Sequence, residues 1–192
     1  MSDSNHLDVT NARRPMPPRP PTGLMAWQAT LGHISTRHSP DAVLKLQAHT
    51  HEARVVWSAS VSWGAQQESV SDHLSLPAAL RALWDEVSRN HRIFDRLEDA
   101  IKSPINYNDA EWIDMTTQEA LQRLLWVTQS VFPGDWQLMI VYQPVDTPDH
   151  RTQARLLAKE QTVVVSGRGP TLLEACRNLF RNATPYFGLP RE

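Results

Sequence analysis

The sequence predicts an α+β fold, an antiparallel sheet with helices packed on one face. Three observations predict it. Apolar and polar residues alternate in several short segments. Between those segments the apolar spacing switches to three and four residues. A strand pair followed by a capped helix also occurs twice, about 96 residues apart, which divides the domain into two related strand–strand–helix halves.

Residues 1–22 read as a disordered, Pro/Arg-rich tail. The run "RRPMPPRPP" (Arg13 to Pro21) favours polyproline II, because proline fixes φ and has no amide donor. Arg14, Pro17 and Pro20 have the R-x-x-P-x-x-P spacing of SH3 ligands, which is too common to identify a partner. The domain proper spans 23–192, with halves at 23–103 and 104–192.

Alternation begins at once. In "MAWQATLGH", Met25, Trp27, Ala29 and Leu31 fall on one face of an expected strand. In the next segment Leu44, Leu46 and Ala48 oppose Lys45, Gln47, His49 and His51. The clearest strand is "RVVWSASVSW", with Val55, Trp57, Ala59, Val61 and Trp63 on one face and Ser58, Ser60 and Ser62 on the other. A shorter strand is expected near Glu68 to Asp72. Such alternation belongs to a sheet with one buried and one wet face.

A helical stripe follows at Leu76, Ala79, Leu80, Leu83, Trp84 and Val87. A short helix is expected with Ile93, Leu97 and Ile101 on one side, then a loop from Pro104 to Asp109. The next helix runs from about Thr117 to Val131 and stops at Pro133–Gly134–Asp135. The runs "WQLMIVYQ", "TQARLLAKE" and "TVVVS" supply two or three more strands, and a helix over about Leu172 to Asn182 closes the chain.

Three helix starts align without gaps, capped by Ser75, Thr116 and Thr171, with Ala79, Ala120 and Ala175 four residues on. Thr116 with Glu119, and Thr171 with Glu174, have capping-box spacing. The stretch "VVVSGRGPTLLEACRNLFRNA" resembles the last strand and helix of HicB-type antitoxin domains, through Gly169, Thr171, Glu174 and Ala175. The segment Thr116 to Ala183 is also similar in element order to double-stranded RNA-binding domains, and Gly167, Gly169 and Thr171 match their Gly-x-Gly-x-Ser/Thr turn. Leu172, Leu173 and Cys176 stand where that family presents phosphate-binding lysines, so its RNA-binding residues do not carry over. The resemblance implies a fold and not a function.

Composition excludes several classes. A net charge of −2 and a pI near 6.4 give no global attraction to nucleic acid or anionic membranes. One cysteine, Cys176, allows no internal disulfide and no cysteine-built zinc site. The N-terminus lacks the pattern of a signal peptide, and no apolar run approaches membrane-spanning length, so a cytoplasmic location is expected.

The glycine turn at 167–169 could cradle an anion at a helix start, aided by Arg168. The G-x-G-x-x-G pattern fails at Leu172, and the ordinary role is a tight turn needing positive φ. His49 and His51 share the wet face, and His33 from a neighbouring strand would be the third ligand of a metal site, although exposed polar residues are the simpler account. No Gly-x-Ser-x-Gly is present, and Cys176 occupies a core position. Trp57, Trp63 and Trp84, with Trp27 and Trp136, belong to the core, while Trp112 and Trp126 are open assignments.

Charge is polarised along the chain. Residues 95–119 hold seven acids and two bases, a net of −5, and residues 151–181 hold six bases and two acids, a net of +4. The expectation is a non-enzymatic binding or scaffolding module without a cofactor, working through a protein partner or a second copy joined at a free sheet edge. Its contact surfaces are the wet face (Lys45, His49, His51 and Ser58 to Ser62) and a basic face of Arg155, Lys159, Arg168, Arg177 and Arg181. A nucleic-acid-binding module using the basic half is the alternative, and a small metal-dependent enzyme ranks last.

Overall fold

The structure is a computed structural model and describes residues 22–52, 54–91, 112–131, 136–144, 147–158 and 162–186. The helix expected around 93–101, the loop at 104–109, the stop at 133–135, Lys159 and most of the tail lie outside the described residues.

The elements run α1 (Gly23–Arg37), β1 (Val43–His51), β2 (Arg54–Trp63), β3 (Gln66–His73), α2 (Leu76–Asn90), α3 (Met115–Val131), β4 (Trp136–Tyr142), β5 (Thr152–Ala158), β6 (Thr162–Gly169) and α4 (Leu172–Ala183). The six strands form one sheet in the order β3-β2-β1-β4-β5-β6, and every neighbouring pair is antiparallel. The α+β class is therefore the observed one. The order helix, three strands, helix occurs twice, and the β1–β4 pairing at the centre joins the two meanders.

The core takes one set of alternate residues from each strand. Leu44, Leu46 and Ala48 of β1 meet Trp57, Ala59, Val61 and Trp63 of β2, with Leu138 and Ile140 of β4 and Ala154 and Leu156 of β5. Residues of all four described helices close the same cluster. Each strand's other set lies on the opposite face.

The segment read as a first strand is the helix α1. Met25 and Ala29, two of the four residues assigned to its buried face, are exposed. The buried set is Ala26, Trp27, Thr30, Leu31 and Ile34, a helical stripe. Thr22 caps it, its hydroxyl accepting from the Met25 amide at 3.3 Å. Trp27 is fully buried, donates Nε1–H to the Leu80 carbonyl at 3.3 Å, and meets Trp84 edge to face at 5.0 Å.

Two of the three expected caps are in place. The Ser75 hydroxyl accepts from Ala78 N–H at 3.2 Å, and the Thr171 hydroxyl accepts from Glu174 N–H at the same distance. At α3 the cap is Asp114 rather than Thr116. Its carboxylate accepts from Thr117 N–H at 3.0 Å and from the Thr117 hydroxyl at 2.6 Å. With the cap two residues upstream, the helix starts at Met115 and Thr116 lies inside its first turn, so the orphan amide satisfied is that of Thr117 rather than Glu119.

Candidate functional site

The face of the sheet left bare by the described helices is built by register. Ser60, Lys45, Val141, Gln153 and Arg168 form one row across β2, β1, β4, β5 and β6. Ser58, Gln47, Met139, Arg155 and Ser166 form the next. A third row holds Val56, His49, Gln137 and Leu157. Lys45 and Arg168 stand three strand spacings apart, about 14 Å.

This face differs chemically from an ordinary wet face. Strands β1, β2, β4, β5 and β6 contain no Asp or Glu. The Glu68 side chain, on β3, is turned to the helix layer, where it meets the His91 ring at 2.8 Å and Asn90 at 3.3 Å. The aromatic residues of these strands (Trp57, Trp63, Trp136, Tyr142) all pack on the core side. Lys45, Arg155 and Arg168 make no ion pair with a described carboxylate. Arg155 instead donates to the Gln153 amide oxygen at 2.7 Å, which orients its guanidinium.

The expected basic face is divided between two layers. Arg155 and Arg168 join Lys45 and His49 on the bare sheet face. Arg177 and Arg181 are exposed on the solvent side of α4, whose opposite side buries Leu172, Ala175, Cys176 and Leu179. Charge clustered along the sequence is separated here because a strand and its following helix present different layers. Lys159 lies outside the described residues, and His51 is exposed at the end of β1 beside Arg54.

Gly167 and Gly169 give the glycine turn its role. Neither has positive φ; among the described glycines only Gly64 does, at 54°. A Cβ on Gly167 would collide with the backbones of Leu179 and Ala175, and one on Gly169 would lie 2.8 Å from Glu174 Cβ. Both residues are glycine so that α4 can lie directly on β6, and strand alternation turns Arg168, between them, to the other face. The expected positive-φ turn is replaced by close helix–strand packing. The helix start is occupied by its own cap, because the Thr171 hydroxyl also donates to the Glu174 carboxylate at 3.0 Å.

The sheet edges are managed separately. On β6, Asn178 donates to the Arg168 carbonyl at 2.7 Å and Asn182 donates to the Ser166 carbonyl at 2.9 Å. On β3, the register shifts opposite Trp57–Ala59, and Asp72 has φ 63°. Sequence reasoning missed both devices, although two asparagines four residues apart on an amphipathic helix were the available signal.

The three histidines of the expected metal site do not converge. His33 is on α1, in the helix layer, so it cannot join His49 and His51 on the bare face. Among the described residues no group of three His, Cys, Asp or Glu side chains could hold a metal ion. Cys176 is buried, and desolvation pushes its thiol pKa up to about 12. Trp112 is fully buried against Gly23 of α1. Trp126 is 69% exposed on α3, one turn from Arg123, whose guanidinium lies 5.1 Å from the centre of the Phe180 ring.

No helix among the described residues is long and apolar enough to cross a membrane. No protein-family model, curated protein or solved structure matches this chain.

Proposed function

We propose that the protein is a non-enzymatic binding module that acts through a protein partner, and that its working surface is the bare face of the sheet. The observation that carries this reading is the alternation itself. One set of residues on each strand builds the core with all four described helices, and the other set, Val56 and Leu157 excepted, is at least partly exposed across the sheet. The edges favour the same face. Two carbonyls of β6 already accept from asparagine side chains and β3 is bulged and polar, so strand addition has poorer purchase at either end.

Nucleic acid is the second reading, favoured by Lys45, Arg155 and Arg168 on strands without carboxylates. Two features weigh against it. Single-stranded nucleic acid is held by aromatic platforms, and every aromatic side chain of β1, β2, β4 and β5 points into the core. The two further arginines that would extend a basic track, Arg177 and Arg181, are on the other layer. A metal-dependent enzyme would need ligands that the histidine positions do not bring together.

The test is photocrosslinking in the host cell. A photoreactive phenylalanine derivative replaces Ser60 on the bare face or, in a second strain, Arg177 on the helix layer. The expected result is a protein adduct from position 60 that survives nuclease treatment. Adducts only from position 177, or adducts removed by nuclease, contradict the reading.

A further inference from the structure

We infer that the partner meeting the bare face is an acidic polypeptide surface, held by Lys45, Arg155 and Arg168 around a small apolar centre. This rests on the reading of that face as the binding surface and adds the chemistry of its occupant. Charge complementarity carries the inference. Most surfaces intersperse charges of both signs, and a chain with net charge −2 has more than enough acids to do so. Here the five strands β1, β2, β4, β5 and β6 hold none. The cations they present have no acidic partner among the described residues. Such a field favours encounter with an acidic surface and disfavours a basic one.

The geometry suits carboxylates on a protein better than phosphates on a strand. Lys45 and Arg168 stand about 14 Å apart in one row, with Arg155 between them in the adjoining row. Between these cations lie Met139 and Val141, both half-buried and so open to a partner. An apolar centre rimmed by charge is the make-up of a protein interface. The Arg155 guanidinium, held at one side by Gln153, offers a planar fork suited to a carboxylate. A second copy of this chain is disfavoured as the occupant, because a two-fold face-to-face dimer would set the same unpaired cations against each other.

The test uses the purified full chain with three probes: poly-L-glutamate, a single-stranded oligonucleotide and a duplex of equal charge, each titrated at low and physiological salt. Poly-L-glutamate is expected to bind, more weakly as salt rises, and better than either nucleic acid. Lys45→Glu with Arg155→Glu and Arg168→Glu should weaken that binding at least tenfold. Arg177→Glu with Arg181→Glu, on the opposite layer, should leave it within twofold, and circular dichroism reports whether each variant is folded. Tighter binding of either nucleic acid overturns the inference, as does poly-L-glutamate binding that only the helix-layer variant reduces. If poly-L-glutamate does not bind while position 60 still crosslinks a protein, the acidic-partner inference fails and the binding-face reading stands. If position 60 yields no protein adduct, both fall.

Discussion

The Asn178 side-chain amide donates to the backbone carbonyl of Arg168 at 2.7 Å. Asn182 repeats the contact one turn on, with Ser166 at 2.9 Å. Helix α4 therefore covers the outer carbonyls of β6, the last strand of the sheet. Replacing both residues, Asn178→Leu with Asn182→Leu, should lower stability by about 1–3 kcal/mol, since each hydrogen bond contributes about 0.5–1.5 kcal/mol net. The freed edge should also promote self-association, read as a concentration-dependent sedimentation coefficient. A variant as stable and monomeric as the parent would remove edge sealing from the account.

Gly167 should not tolerate any side chain. Gly167→Ala drives a methyl into the backbone of Leu179, and backbone cannot swing aside as a flexible side chain can. The expected cost is about 1–3 kcal/mol or more, measured by urea denaturation. The neighbouring Arg168→Ala, on the exposed face, should stay within about 0.5 kcal/mol of the parent. Equal effects at the two positions would contradict the two-layer placement.

Cys176 should be inert in the native protein and should shape alkaline stability. Its thiol has an ordinary value of 9.0, and burial raises it to about 12. Between these limits the unfolded chain has lost the proton and the folded chain has kept it. Stability is therefore unaffected below pH 9 and falls as pH rises toward 12. The fall should be shallower in Cys176→Ala just above pH 9, before Tyr142 adds its own effect. Desolvation raises that phenol from 10.0, so it acts in the same direction at higher pH. Titration of the native protein with a thiol reagent should register no fast-reacting group.

Trp27 tests the corrected first element. As a helical residue it packs against Trp84 and donates to the Leu80 carbonyl. Trp27→Ala should cost about 3–5 kcal/mol, as large aromatic truncations in cores do. Met25→Ala, exposed on the same helix, should cost little. In the strand reading the two residues share a buried face, and both substitutions would be severe.

The sequence made the sheet legible and misled at its start. Strands β1 and β2 were readable because their alternation is uninterrupted, so the face holding Lys45, His49 and Ser60 was assigned residue by residue. Helix α1 was not, because Met25, Trp27, Ala29 and Leu31 satisfy period two while Ala26, Trp27, Thr30, Leu31 and Ile34 satisfy the helical period. Only tertiary packing on Trp84 decides between them. The candidate site was half legible. The basic residues are visible in the sequence, but their division between Arg168 and Arg177 depends on how α4 packs at Gly167 and Gly169. Glycine's use for close approach leaves no mark that separates it from its use at positive φ.

Methionine offers the most direct measurement of the central claim, that the bare sheet face is where the partner binds. Among the described methionines Met139 stands in the middle of that face, while Met25 and Met115 are exposed on the helices α1 and α3. Methyl-labelled protein, with signals assigned by Met→Leu substitution, is titrated with the partner captured through position 60 and followed by NMR. The account predicts that the Met139 methyl shifts or broadens on binding while those of Met25 and Met115 stay in place. A response at Met25 or Met115 with Met139 unmoved would contradict it.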